Sequence, residues 1–259
     1  MNYRGYLLDL DGTMYRGTEK VEGASDFVQY LKAESIPYMF LTNNSSKKAE
    51  QVAEKLESLG VPAAPEQVMT SSMAAASYIT SQKKKANIFV IGEEGLFHAL
   101  RESGHTIVES DADFVVIGID REISYEKLTK ACLQVRNCAT FISTNRDAAI
   151  PTERGMLPGN GAITSVIQVS TGIDPIYVGK PEAIIMEQAL NKIGFSKEDV
   201  LMVGDNYRTD ILAGINNGID TLMVETGVNS FEEIQGLDKQ PTYKRRNLIE
   251  WMEEQKDSQ

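Results

Sequence analysis

The sequence predicts an α/β protein built on a doubly wound, Rossmann-like parallel sheet. Three observations carry that expectation. Short apolar runs alternate with segments whose apolar residues recur at helical spacing, the pattern of a parallel sheet covered by helices. Polar, glycine-bearing motifs follow several of those runs, at the place where an open parallel sheet binds its ligands. The chain has 259 residues, 42% hydrophobic and 24% charged, enough to bury a core and frame a cleft.

Taken in order, residues 5–10 read as a buried strand and 21–34 as a helix. Residues 37–41 are a second apolar run, and 47–59 a second helix with Val52, Leu56 and Leu59 on one face, stopped by Gly60. Near the end the pattern resumes. Residues 175–178 read as a strand, and Pro181 opens a helix striped by Met186, Ala189, Leu190 and Ile193. Ser196 with Asp199 has the form of a capping box. Residues 200–203 read as a strand, 209–216 as a helix, 221–224 as a strand and 246–255 as a surface helix. Between these blocks, 87–91, 114–119 and 140–143 read as strands, and 93–102 and 125–136 as helices. Periodicity alone leaves open whether this middle block extends the same sheet or forms a separate domain. Lys83, Lys84 and Lys85 near its entry read as a solvated loop.

The bulk numbers exclude some classes. A formal net charge of -11 repels nucleic acid and anionic membranes, so neither is expected as a partner. It also repels anionic substrates, so a phosphate site here needs local positive charge from a metal, a lysine or helix N-termini. Cys132 and Cys138 form no zinc-like or redox array. The apolar run of residues 6–8 stops at Asp9, too early for a secretory signal, and no stretch approaches a membrane span. The cytoplasm is the expected location.

Four strand-end motifs carry chemistry. In Asp9-Leu10-Asp11-Gly12-Thr13, Asp9 sits at the carboxyl edge of the first strand and Asp11 points into the same crevice after a turn that Gly12 permits. Two such carboxylates repel unless a cation or a shared proton intervenes; the plain alternative is a strand-end turn. In Leu41-Thr42-Asn43-Asn44, the Thr42 hydroxyl and nearby N–H groups suit a phosphoryl oxygen, although helix capping uses the same residues. In Gly179-Lys180-Pro181, Lys180 would reach the same edge; the segment is no Walker loop, which needs an upstream glycine and a Ser or Thr after the lysine. In Val203-Gly204-Asp205-Asn206, followed by Asp210, two more acidic groups suit a hard cation or a helix cap. All four can converge on one sheet edge.

This conjunction resembles the haloacid dehalogenase superfamily of phosphohydrolases: DLDGT, LTNN, GKP and VGDNYRTD match its motifs as they stand. The middle block resembles the large α/β cap of the NagD-type, nitrophenyl-phosphatase-like subfamily, as do Thr144-Asn145-Arg146-Asp147 and Pro158-Gly159-Asn160-Gly161-Ala162. The resemblance implies a core of residues 1–79 and 178–259 with a cap inserted at about 80–177. It implies Asp9 as nucleophile, Asp11 as acid and base, and Mg²⁺ held by the Asp9 carboxylate, the Asp11 carbonyl and Asp205. It further implies Thr42, Asn43 and Lys180 around the phosphoryl group, with Asp210 orienting Lys180 or a bound water. Asn145, Arg146 and Asp147, or the Gly159–Ala162 turn, are candidates for contacts to substrate, a small phosphorylated metabolite such as a sugar phosphate or nucleotide.

Rival readings are a phosphomutase of the same superfamily, a receiver-like signalling module, and a phosphate-binding protein without turnover. Asp11 as an acid and base and the long middle block argue against the receiver. His98 and His105 lie away from the motifs, which leaves a Ser-His-Asp triad or zinc site unsupported. The sequence leaves the substrate unnamed and homo-oligomerisation open.

Overall fold

Four apolar runs of the sequence become the middle of one parallel sheet in the computed structural model, which describes residues 3–152 and 154–257. The strand order is Tyr243–Arg245, Asp220–Val224, Val200–Gly204, Gly5–Leu8, Tyr38–Thr42 and Val68–Thr70. Gly5–Leu8 and Val200–Gly204 bury every residue, as strands covered on both faces must, and this is why they read as unbroken apolar runs. Leu8 pairs in parallel with Val203 on one side and Phe40 on the other, so the carboxyl ends of three strands reach one edge together. The chain divides into two units. One gathers the chain up to Thr42, Glu50–Met69 and everything from Lys180 on; the other is Asn43–Ala49 with Thr70–Gly179.

In the first unit the helices Ala24–Ala33 and Ala49–Ser58 fall where the periodicity predicts them, and Gly60 takes a left-handed φ of 78° after the second. Four local expectations are corrected. The helix after Lys180 begins at Ala183, with Glu182 as its cap; Pro181 lies outside it and follows a cis peptide bond. Ser196 does not close a capping box: its hydroxyl donates to the Asp199 carboxylate at 2.9 Å and makes no bond to a helix N–H. The helix expected at 209–216 starts as a π-helical turn, Tyr207–Ile211, before continuing as Leu212–Asn217, and the Asp210 side chain turns back to accept the Asn206 N–H at 3.0 Å. The closing helix Leu248–Asp257 lies less on the surface than expected: Leu248, Trp251 and Met252 are buried.

The second unit has its own sheet, in the order Ile176–Tyr177, Thr140–Ser143, Phe114–Ile117, Asn87–Ile91 and Thr106–Ile107, with every pair parallel. Phe89, Ile91, Val115, Ile117 and Phe141 form a core with Ala131, Val135, Ile163 and Ile167 from two helices. Two helices of this unit escape the sequence reading. Ser71–Gln82 is built on small residues with little apolar stripe, so its helical period is faint. Asn160–Thr171 begins where a glycine-rich turn was expected: Gly159 caps it, and Asn160, Gly161 and Ala162 are its first turn. His105 is a packing residue, its Nδ1 accepting the Ala86 N–H at 3.2 Å and its Nε2 lying 3.0 Å from the Thr80 hydroxyl. Among the described residues no helix is long and apolar enough to cross a membrane.

Candidate active site

Parallel pairing decides which side chains meet in the first unit. The Asp9 N–H continues the ladder by donating to the Val203 carbonyl at 2.9 Å, which sets Asp9 one residue beyond Leu8 and beside the end of Val200–Gly204. Asp205 follows that strand directly, and Thr42 closes Tyr38–Thr42. Asp9, Thr42, Lys180, Asp205 and Asp210 are all buried. A polar set of this density at a sheet edge is stable only when its groups satisfy one another or a ligand.

Lys180 is the hub. Its Nζ donates to Asp9 Oδ1 at 2.5 Å and to the Leu41 carbonyl at 3.1 Å, and it lies 2.8 Å from Asp210 Oδ1. Asp210 Oδ2 is tied to the Asn206 N–H, so that carboxylate is fixed on both oxygens and in turn fixes the ammonium. Asp205 Oδ1 accepts the Thr13 hydroxyl at 3.0 Å and Oδ2 accepts the Val228 N–H at 2.6 Å. Thr13 also reaches Asp9 Oδ2, at 3.3 Å. Asp11 stands apart: the residue is exposed at the strand end although its carboxyl is partly desolvated, and the Lys55 ammonium, seated 3.5 Å over the Tyr15 ring, is the nearby charge that acts on it.

The electrostatics follow from burial. Desolvation pushes the Asp9 carboxyl well above the ordinary range, Asp210 and Asp205 push it further, and Lys180 opposes them. Asp205 is pushed up to about 6, first by burial and then by Asp210, against the Val228 N–H, Thr13 and Lys180. Burial raises the Asp11 carboxyl and Lys55 lowers it, with the net direction upward. Burial would lower the Lys180 ammonium, but Asp210 and Asp9 outweigh it and hold it above the usual lysine range.

The donor set fits a hard divalent cation. Among the described residues, Asp9, Asp205 and Asp210 bring carboxylate oxygens within 4.8 Å of one another. Three carboxylates facing one ammonium leave two negative charges uncompensated, the charge that such an ion carries. All the atoms are oxygens, with no His or Cys among them, which suits a hard cation rather than a soft one. The Asp11 carboxylate is outside the set.

The remaining expected residues lie in the second unit. Asn43 Nδ2 reaches the Asp147 carboxylate at 3.3 Å, and the Asn145 carboxamide joins the Asn43 carbonyl at 2.8 Å. Arg146 is exposed, its guanidinium stacked 4.3 Å over the Tyr177 ring. The Gly159 and Gly161 backbones pack against the Asp147 and Arg146 carbonyls, respectively, so closely that a Cβ would lie 2.1 and 2.3 Å from them.

Two contributors were not assigned roles from sequence. Thr13 bridges Asp9 and Asp205, and only its place directly behind the aspartate pair hinted at that. The loop 225–229 follows the Asp220–Val224 strand, supplies the Val228 N–H to Asp205 and, through the Thr226 hydroxyl, donates to the Gly12 carbonyl at 2.7 Å. A strand end followed by Thr226-Gly227 was its signal. Gly12 combines a φ of +95° with a backbone so near Asp205 that a Cβ would fall 2.3 Å from Oδ2. Gly12→Ala is therefore expected to lower the melting temperature and to cut activity, by strain of at least about 1–3 kcal/mol. Wild-type values in thermal melts and phosphate release would show that the turn tolerates a side chain.

Comparison with known proteins gives matches along nearly the whole chain. A family model described as haloacid dehalogenase-like hydrolase matches residues 6–106, and a second HAD-hydrolase-like model matches 177–251. The chain is 57% identical to a protein of Bacillus subtilis named 5'-nucleotidase YutF, over 96% of this chain and 98% of that one. It is 52% identical to the acid sugar phosphatase of Staphylococcus aureus, covering 96% of each. The crystal structure of a double mutant of thermostable NPPase from Geobacillus stearothermophilus superposes with a TM-score of 0.92 at 54% identity, covering 96% of this chain and 98% of that chain.

Proposed function

This chain belongs to the haloacid dehalogenase-like hydrolases and is a phosphatase, and on that premise we propose that it is an Mg²⁺-dependent phosphomonoesterase working through a phosphoaspartate on Asp9. The observation that carries this reading is the buried Asp9 carboxylate at the sheet edge, held by Lys180 and flanked by Asp205 and Asp210.

An Asp9 oxygen bonds to phosphorus as the bond from phosphorus to the leaving oxygen breaks. Asp11, whose raised pKa favours a proton, gives that proton to the leaving oxygen. As a carboxylate it then takes a proton from the water that attacks the phosphoaspartate, which frees orthophosphate and restores Asp9. Lys180, Thr42 and Asn43 bind the phosphoryl oxygens and offset their charge. Asp210 keeps Lys180 aimed at Asp9. Asp9, Asp205 and the Asp11 carbonyl would hold a divalent cation, which would supply positive charge against the phosphoryl oxygens.

The substrate is a small phosphorylated metabolite. The relatives named for a 5'-nucleotidase and for an acid sugar phosphatase support two classes, nucleoside monophosphates and sugar phosphates. Phosphate release from a panel of both classes, with nitrophenyl phosphate as an artificial substrate and Mg²⁺ present, tests the reading. Absence of release from every phosphomonoester would sink it. Exhaustive EDTA treatment is expected to abolish the activity and Mg²⁺ to restore it, since the excess buried negative charge then loses its counterion. Full activity in a preparation shown metal-free by elemental analysis would remove the cation from the mechanism.

A further inference from the structure

Asn145 lies two residues beyond the Thr140–Ser143 strand and is 5% exposed. Both halves of its carboxamide are engaged inside the protein. Nδ2 donates to the main-chain carbonyl of Asn43 at 2.8 Å, and Oδ1 accepts the Asp147 N–H at 3.0 Å. Its own carbonyl accepts from Ser143 Oγ and from Asn160 Nδ2, each at 3.0 Å. Asn160 is 2% exposed and also reaches Thr144 Oγ1 at 3.2 Å, while Ser143 Oγ lies 2.8 Å from Thr164 Oγ1. Among the described residues Asn160 Oδ1 has no partner; the other side-chain atoms of this network are paired, and another arrangement would strand more of them away from water.

The network converges on Asn43. Its carbonyl receives the Ser71 hydroxyl at 2.7 Å as well as Asn145, and its side chain donates to Asp147, which Asn145 itself orients. Gly179 packs on the same spot: a Cβ there would lie 2.6 Å from Asn43 Oδ1 and 2.4 Å from the Thr144 carbonyl. Asn43 is bonded directly to Thr42, and Gly179 to Lys180.

We propose that Asn145 is a positioning residue for catalysis rather than a contact to substrate: it fixes the Asn43 carbonyl and, through Asp147, the Asn43 carboxamide, so that Asn43 presents one orientation to the phosphoryl group. The proposal rests on the phosphatase reading given above. Asparagine suits the task because one short planar group donates to a carbonyl and accepts from an N–H at once. Aspartate keeps the acceptor but sets a carboxylate oxygen against the Asn43 carbonyl, and alanine removes both bonds.

The test compares Asn145→Ala with Gln134→Ala. Gln134 is 8% exposed in the same unit, and its carboxamide likewise bridges two main-chain groups, accepting from the Ala112 N–H and donating to the Glu109 carbonyl. With nitrophenyl phosphate, Asn145→Ala is expected to lose about 10–100-fold in kcat, as for groups that orient a ligand. The inhibition constant of inorganic orthophosphate should rise at least about tenfold, the effect of one misplaced hydrogen bond. Gln134→Ala should keep both at wild type despite a comparable fall in Tm. If Asn145→Ala does not fold, Asn145→Asp carries the same comparison. Wild-type kcat and orthophosphate inhibition in the Asn145 variant, or equal losses in the Gln134 variant, overturn the inference while leaving the phosphatase reading intact. A wild-type protein that releases no phosphate overturns both.

Discussion

Asp9→Asn is expected to leave a folded protein whose phosphate release falls by roughly 10³–10⁶-fold, the cost of losing a nucleophile. The exchange keeps the shape of the side chain and removes its charge. Asn Oδ1 can still accept from Lys180, so the ladder bond to Val203 and the packing of the strand end stay as they are. The exchange also removes a carboxylate whose charged form is disfavoured by burial and by its neighbours Asp210 and Asp205, so stability should hold or rise. The measurement pairs kcat/KM with circular dichroism and a thermal melt. Near-wild-type turnover in a folded Asp9→Asn protein would take the nucleophile's role away from Asp9.

The second large effect belongs to Lys180. It is 2% exposed and joins Asp9, Asp210 and the Leu41 carbonyl, so Lys180→Ala leaves two buried carboxylates facing each other with no cation of the protein between them. Breaking one side of a buried pair costs roughly 3–5 kcal/mol in stability. Removing a charge that offsets a developing oxyanion costs about 10²–10³-fold in rate. Lys83→Ala is the contrast. Lys83 is half exposed and pairs with Asp113 at 2.8 Å, which lowers the Asp113 carboxyl, but an exposed pair of this kind contributes below about 1 kcal/mol. Melting curves and kcat/KM for the two variants, measured below the lower Tm, should differ widely. Equal, small losses would mean that Lys180 has no special place in the reaction.

Most of the parallel sheet was legible because its strands are buried on both faces and must be continuously apolar, as in GYLL and VLMVG. The edge strand Tyr243–Arg245 and the two-residue strands of the hairpin Tyr15–Arg16 and Glu19–Lys20 were missed, because they are short and partly or wholly exposed. The helix Ser71–Gln82 was missed because alanine and serine carry little hydrophobic contrast around a helix.

The sequence by itself determined which chemical groups stand at strand ends. Apolar period and length locate a strand's last residue, and in a parallel sheet all such residues share an edge, so Asp9, Thr42 and Asp205 were already candidates for one site. Only the tertiary structure decided how each group is held. Lys180 meets Asp9 across 171 residues and Thr13 meets Asp205 across 192, distances over which local spacing carries no information about hydrogen-bond direction. The same holds for Asn145. Its sequence context gave a polar turn suited to a ligand, whereas its carboxamide is committed to the Asn43 carbonyl and the Asp147 N–H. The physical reason is that a side chain's role depends on which desolvated partner it must satisfy, and that partner is chosen by packing between distant segments.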